Sequence, residues 1–312
     1  MNWHLFVTEL VSGITHGCVY ALIALGYSMV YGILKLLNFA HGDVYMVGAF
    51  IGYGVITVFG GPYATDVNVV LLLVLMFLAS MLGGGLLGVA IERFAYRRLR
   101  NAPRIAPLIT ALGVSFFLEN AGQLIVGADF KTYNTFGWIK TTPLAANGWR
   151  LPSNVLFSYA HVITIVGTVI LMVALTWFVQ QTQTGKAMRA TSYDREAAAM
   201  MGIDVDRVIV VTFFIGSALA GAAGVFNGIE YQQVWPYMGF QAGLFAFTAA
   251  VVGGIGNLPG SVAGGLLIGL AESFATGYVS STFQQAVVFV VLIVVMLVRP
   301  SGLFGRAAVQ KV

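Results

Sequence analysis

The chain has 312 residues, of which 58% are hydrophobic and 9% charged, with a net charge of +4 and a mean hydropathy of +0.87. A soluble domain carries roughly a quarter charged residues, so this balance excludes one and predicts an all-α, polytopic membrane helical bundle in contact with membrane lipid. The small basic excess sits in a few loops and reports membrane orientation, not nucleic-acid binding.

The N-terminus has no basic stretch ahead of its apolar run and no small-residue cleavage site, so a cleaved signal peptide is not expected. A first span over 10–34 contains Gly13 and Gly17 at a spacing that lets helices approach closely. The single cysteine, Cys18, lies in this run and excludes an internal disulfide or a cysteine metal cluster. Asn38-Phe-Ala-His41-Gly42-Asp43 then precedes a run over 44–59, which is short for a span of about 20 residues and reads as a tilted or broken helix. Asn38 and Asp43 are expected helix caps, so that free N–H groups point at whatever lies in front of them. His41 reads as a hydrogen-bonded loop histidine, since His4, His16, His41 and His161 show no ligand spacing.

A third span over 67–90 holds Gly83-Gly-Gly-Leu-Leu-Gly88, a formal G-x-G-x-x-G. No strand precedes it, so it is read as a small-residue packing face and not a dinucleotide site. Arg93, Arg97, Arg98, Arg100 and Arg104 follow in one short loop and mark the cytoplasmic side. The fourth span, 105–126, carries Glu119 beside Asn120 and Gln123. A carboxylate at membrane depth faces protein or water, either as an interhelical hydrogen-bonding group or as a pathway residue. The loop over 127–158, with Trp138 and Trp149 as interface anchors, falls outside by alternation, and a fifth span over 159–179 returns to the cytoplasm.

The segment 181–206 is a polar island between apolar runs. Thr191 or Ser192 is the expected cap of a helix of about ten residues, with Asp194 completing a capping box and Gly202 the stop. Asp194, Ala197, Ala198 and Met201 would share one small, smooth face. Such a helix either slots into a groove on a soluble partner or is an ordinary amphipathic loop helix. The sixth span, 205–228, has Gly216, Ser217, Gly221 and Gly224 along it. An outer turn over 230–239 contains Trp235-Pro236. A short run over 241–253 meets the break Gly253 to Gly260, with Gly254, Gly256, Asn257 and Pro259. Such a break survives at membrane depth only where it lines a cavity or is buried in protein. Spans over 261–278, with Glu272, and 285–298 complete eight or nine crossings. Arg299, Arg306 and Lys311 make the C-terminus cytoplasmic and, by counting back, the N-terminus external. The breaks near 38–42 and 253–260 occupy roughly corresponding places in the two halves, as central broken helices of transporters do.

There is no G-x-x-x-x-G-K-[ST]: Gly185-Lys186 is followed by Ala187 and has Gln180 where the first glycine belongs. The chain is therefore not expected to cradle ATP phosphates, and it has neither a nucleophile elbow nor H-E-x-x-H.

Glu196-Ala197-Ala198, with Gly202 six residues after the glutamate, resembles the coupling loop of ATP-binding-cassette importer permeases. The run GITHGCVYALIALGYSMVYGILKLLNFAHGDVYMVGAF over 13–50 is similar to the N-terminal signature of the branched-chain amino-acid (Liv-type, H-subunit) permeases. Thr184 to Val208 and the Gly253–Gly260 segment extend that resemblance nearly end to end. It implies one permease domain over 1–312 in a bacterial inner membrane, with a coupling loop whose members are Gly185, Arg189, Asp194, Glu196, Ala197, Ala198 and Gly202. Asn38, His41, Gly42, Glu119, Gly253, Gly254, Gly256 and Asn257 are the candidates for the solute pathway. The implied partners are two ATPase subunits, a homologous second permease subunit and an extracytoplasmic substrate-binding protein. This chain would bind no cofactor, ATP and Mg being held by the ATPases. A permease of the same superfamily for urea, short amides or sugars is the alternative, and an autonomous ion-coupled carrier the rival from another class; the carrier predicts paired intramembrane ionisable groups, and Glu119 and Glu272 have no evident cationic partner in the sequence. An intramembrane enzyme lacks a catalytic constellation.

Overall fold

A computed structural model describes residues 3–60, 69–100, 102–103, 105–133, 144–150 and 155–305. The expectations placed on Arg104, Trp138, Arg306 and Lys311 lie outside the described residues. The apolar runs form α1 (Trp3–Leu34), α2 (His41–Val55), α3 (Val69–Ile91), α4 (Ile105–Val126) and α5 (Tyr159–Gln181). Two polar helices follow, α6 (Gln183–Tyr193) and α7 (Arg195–Met200), and then α8 (Val205–Tyr231), α9 (Met238–Gly253), α10 (Leu258–Tyr278) and α11 (Gln284–Val298). Eight helices are long and apolar enough to cross a membrane, and α9 is a shorter apolar helix. The all-α, polytopic expectation holds. Its only β-structure among the described residues is two short antiparallel ribbons: β1 (Lys131–Thr132) with β4 (Gln233–Val234), and β2 (Gly148–Arg150) with β3 (Leu156–Ser158).

Lipid gives apolar side chains no reason to cluster, so membrane helices associate where small residues let backbones touch. That rule sets the centre of this bundle. Gly13 and Gly17 of α1 lie against the backbone of α10 at Leu270 and Leu266. Gly84 and Gly88 of α3 face Ser217 and its neighbours on α8, confirming the packing reading of the 83–88 glycines. Gly48 of α2 meets Gly221 of α8, where Ser80 of α3 also lies, so three helices converge on that glycine. The result is that α1 and α8 are mostly buried, whereas α3, α4, α5 and α11 present broad apolar faces such as Phe117, Leu124, Ile170 and Leu297.

Helix α2 does not start at an end of the bundle. His41, its first residue, is wedged where Gly26 of α1 faces Gly216 of α8, and Gly216 lies 11 positions (216 − 205) into α8. Helix α9 starts beside it: a Cβ on Gly42 would lie 2.8 Å from Gly243 Cα, and one on Gly239 would lie 2.9 Å from Asp43 Cα. Two short helices thus begin side by side inside the bundle, the arrangement that glycine-interrupted segments predict.

Candidate functional site: coupling helices and broken helices

The polar island folds as two helices. Thr182 caps α6 by accepting from Gly185 N at 3.0 Å, and Gly185 is held so close to the carbonyls of Phe178 and Val179 that a side chain there would collide. Arg189 turns back to donate to Val179 O at 2.6 Å. The cap of α7 is Asp194, not Thr191 or Ser192: its Oδ1 accepts from Glu196 N at 2.9 Å and Ala197 N at 3.0 Å. Thr191 and Ser192 instead bond backward to Ala187 O and Arg189 O inside α6. The expected ten-residue helix is therefore a six-residue α7, because extended backbone at Asp194 (φ −153°, ψ 117°) divides the segment. Gly202, at φ +82°, ends it in the left-handed conformation that glycine adopts without strain.

The exposed face also differs from expectation. Ala198 points inward and is buried, so the small face supports packing, while Glu196, Tyr193, Met200 and Met201 are exposed, the last two at 83% each. Behind the αL stop, Ile203 N returns to Ala198 O at 3.1 Å and closes the turn. Arg195 is tied to the bundle. Its Nε donates to Ile33 O in the last turn of α1 at 2.7 Å. Partial burial and the neighbouring Arg100 lower the pKa of Arg195, and burial followed by the Arg195 charge lowers that of Lys35.

The arginine loop reaches the same end. Glu92, fully buried, pairs with Arg100 and lies 3.6 Å from Arg97 Nε; Arg100 also pairs with Asp206 in the first turn of α8. Two features that were read separately from sequence, the arginine cluster and the polar island, are joined by these ion pairs.

The pathway candidates fall into two groups. Asn38 is 2% exposed and does not cap α2; Ala40 holds that position, and Tyr96 of the loop after α3 donates to Asn38 Oδ1 at 3.1 Å. His41 is not a loop residue either. It is buried in the first turn of α2, packs edge-on to Tyr27 with centroids 4.9 Å apart, and has no partner for Nε2. Asp43, expected as a cap, lies two residues inside the helix in its first turn, fully buried, with Ser115 and Glu119 of α4 facing it. The structure therefore gathers Asn38, His41, Gly42 and Glu119 around the α2 start, together with Asp43 and Tyr27, which the sequence did not single out as pathway residues.

Gly253, Gly254, Gly256 and Asn257 form the second group, at the end shared with α6. Gly254 (φ +106°) and Gly256 (φ +89°) take left-handed backbone. Asn257 caps α10 by accepting from Gly260 N at 3.2 Å. The carbonyls left open where α9 stops are met by the chain after α11: Leu303 N bonds Val252 O at 2.8 Å, and Phe304 N bonds Gly253 O at 3.1 Å. This break borders a cavity of about 670 Å³ that also touches Gly32, Lys35 and Arg189. The two breaks do not meet each other. Phe247, six residues before Gly253 in α9, packs on both Phe39 and Tyr27 at the first break.

A bundle of apolar helices with internal helix starts, glycine breaks and a polar helix pair at one end is the architecture of a multi-pass membrane permease. Residues 9–296 match the model of the family described as branched-chain amino acid transport system / permease component. The chain belongs to that family. It is 41% identical over 310 residues, 98% of each chain, to the high-affinity branched-chain amino acid transport system permease protein BraD of Pseudomonas aeruginosa. It is 41% identical over 311 residues, again 98% of each chain, to the corresponding permease LivH of Escherichia coli K12. A more distant match, 28% identical over 70% of this chain and 65% of the relative, is the D-allose transport system permease protein AlsC of the same organism.

Proposed function

We propose that this chain is the permease subunit of an ATP-driven importer that carries leucine, isoleucine and valine across a bacterial inner membrane. The full-length match to high-affinity branched-chain amino acid permeases carries this reading. The exposed α7, tied to α1 and α8 but with Glu196, Met200 and Met201 open to a partner, supports the coupling role. On this reading α6 and α7, within the segment 181–206 of a single permease domain, dock on an ATPase pair in the cytoplasm. The arginine loop and the C-terminus lie on that side, and the N-terminus lies outside. A second homologous permease subunit and an external substrate-binding protein complete the assembly, while ATP and Mg reside on the ATPases. ATPase closure displaces α7 and shifts the bundle between outward- and inward-facing states. The solute passes the helix starts around Asn38, His41, Gly42 and Glu119 and the break at Gly253 to Asn257.

The D-allose permease match favours one second reading, a related permease for another small polar solute. Purification of the tagged chain in mild detergent, followed by mass identification, an ATPase assay and uptake after reconstitution, tests both. Co-purifying ATPase subunits lost in Glu196→Lys, with ATP-dependent leucine uptake by the wild type, are the expected results. ATP-dependent uptake of a sugar or amide in place of leucine would move the assignment to the second reading, and solute movement by the chain alone without ATP would overturn both.

A further inference from the structure

A cavity of about 450 Å³ lies between α1, α8, α9 and α10, at the end of the bundle away from α6 and α7. The volume falls in the range of small-molecule sites, roughly 300–1,000 Å³. None of the pathway candidates read from sequence lines it. Its polar wall is built by Glu272, Tyr20, His16, Tyr231, Asn227 and Gln241. Tyr20 donates to Glu272 Oε2 at 2.7 Å, and Glu272, at membrane depth in α10, is 6% exposed. The other carboxylate oxygen, Oε1, takes no hydrogen bond from any described residue. His16 Nδ1 is 3.9 Å from Oε2, outside hydrogen-bond distance, and has no partner; the opposite nitrogen, Nε2, is 2.7 Å from Tyr231 Oη.

The charge of this wall selects a ligand. Glu9 adds a second carboxylate to the lining, and among the described residues no lysine or arginine lines it. A carboxylate removed from water needs hydrogen-bond donors or a cation, and a primary ammonium supplies both in one group. The remaining lining suits the rest of an amino acid: Asn227 and Gln241 offer amide donors to a carboxylate, and Trp235, Met238 and Ala242 form an apolar wall for an aliphatic side chain. We infer that this cavity is a substrate site within the permease itself, in which Glu272, oriented by Tyr20, accepts the α-ammonium group of an aliphatic amino acid. The inference rests on the amino-acid importer reading and deepens it by naming the residues that read the zwitterion.

The test is binding of tritiated L-leucine to the full chain with its co-purifying subunits in nanodiscs, without ATP or binding protein. Unlabelled leucine and 3-methylbutylamine, which keeps only the ammonium and the aliphatic chain, should compete. The acid 4-methylpentanoate should not. Glu272→Gln should raise the Kd for leucine about tenfold or more, since the amide replaces a charge-assisted hydrogen bond to the ammonium by a neutral one. Ala242→Phe, which fills the apolar wall without touching the carboxylate, should weaken leucine binding to a similar degree with an unchanged gel-filtration profile. Absence of leucine binding by the wild-type assembly, unchanged affinity in both variants, or competition by the acid and not the amine would each overturn the assignment. Competition by ammonium chloride as effective as by the amine would make this a simple cation site and overturn it as well. ATP-driven leucine uptake that persists at wild-type affinity in Glu272→Gln defeats only the cavity assignment, whereas absence of ATP-driven uptake in the wild type defeats the importer reading itself.

Discussion

Arg195 of α7 donates from Nε to the carbonyl of Ile33 in the last turn of α1, 2.7 Å away and 162 positions distant in the chain. The bond links the short, exposed α7 with the longest helix among the described residues, 32 residues or about 48 Å at 1.5 Å per residue. From its first turns to its middle, α1 carries Glu9, His16 and Tyr20 into the cavity at the far end. On the coupling role proposed for α7, a push on it would load the end of that long helix.

Removing that link should separate ATP hydrolysis from transport. In Arg195→Ala the ratio of leucine transported to ATP hydrolysed should fall about fivefold or more, because a charge-assisted hydrogen bond of roughly 1.5–3 kcal/mol is lost, while assembly with the ATPase persists. Simultaneous measurement of uptake and phosphate release in proteoliposomes checks this. An unchanged ratio would show that α7 acts on the bundle through α8 alone.

Gly202 has open space around the position of a missing side chain but sits at φ +82°. Gly202→Val should therefore strain the backbone, by about 1–2 kcal/mol for a left-handed residue, without any steric clash. The end of α7 should loosen and ATPase co-purification should drop, whereas the melting temperature of the membrane bundle should stay within a few degrees. Pull-down yield and thermal unfolding of the same preparation separate the two effects.

Glu92 is a buried carboxylate whose charge is balanced by Arg100 and Arg97. Arg100→Ala should destabilise the protein by about 3 kcal/mol, the low end for breaking a buried pair, since Arg97 remains. Adding Glu92→Gln should recover part of the loss by removing the stranded charge. Thermal unfolding of the single and double variants measures the coupling, and additive losses would contradict the pairing.

Two glycines should respond with opposite sign. Gly221 of α8 lies against the backbone of Ser80 and Gly48, so Gly221→Leu should overpack the bundle and cost about 1–3 kcal/mol or more. Gly113 of α4 has nothing within 4 Å of a built side chain, and Gly113→Ala should stabilise by about 0.5–1 kcal/mol through helix propensity. Melting temperatures in one detergent compare them directly.

The helical spans follow from the sequence because lipid requires every backbone group to be bonded within its own segment; the fourth apolar run, 105–126, coincides with α4 (Ile105–Val126). Small-residue spacing likewise announces which faces touch, as Gly13, Gly17, Gly84 and Gly88 do. The coupling segment was visible as a charged island, but not its division at Asp194, because Thr191, Ser192 and Asp194 are all competent caps and local propensity does not choose among them. The inward turn of Ala198 was hidden for a related reason: one face of a short helix is chosen by what the segment packs on, and Ile33, which anchors Arg195, is distant in sequence.

By itself, then, the chain determined its membrane class, its spans, its breaks and its family resemblance, all properties of composition and of neighbours a few residues apart. Only the tertiary structure decided that Arg195 holds Ile33, that Arg100 bridges Glu92 and Asp206, and that Tyr20, His16 and Glu272 surround one cavity. Tyr20 and Glu272 are 252 positions apart. Pairing them depends on the glycine contacts that bring α1 against α10, a long-range packing choice that no local pattern encodes.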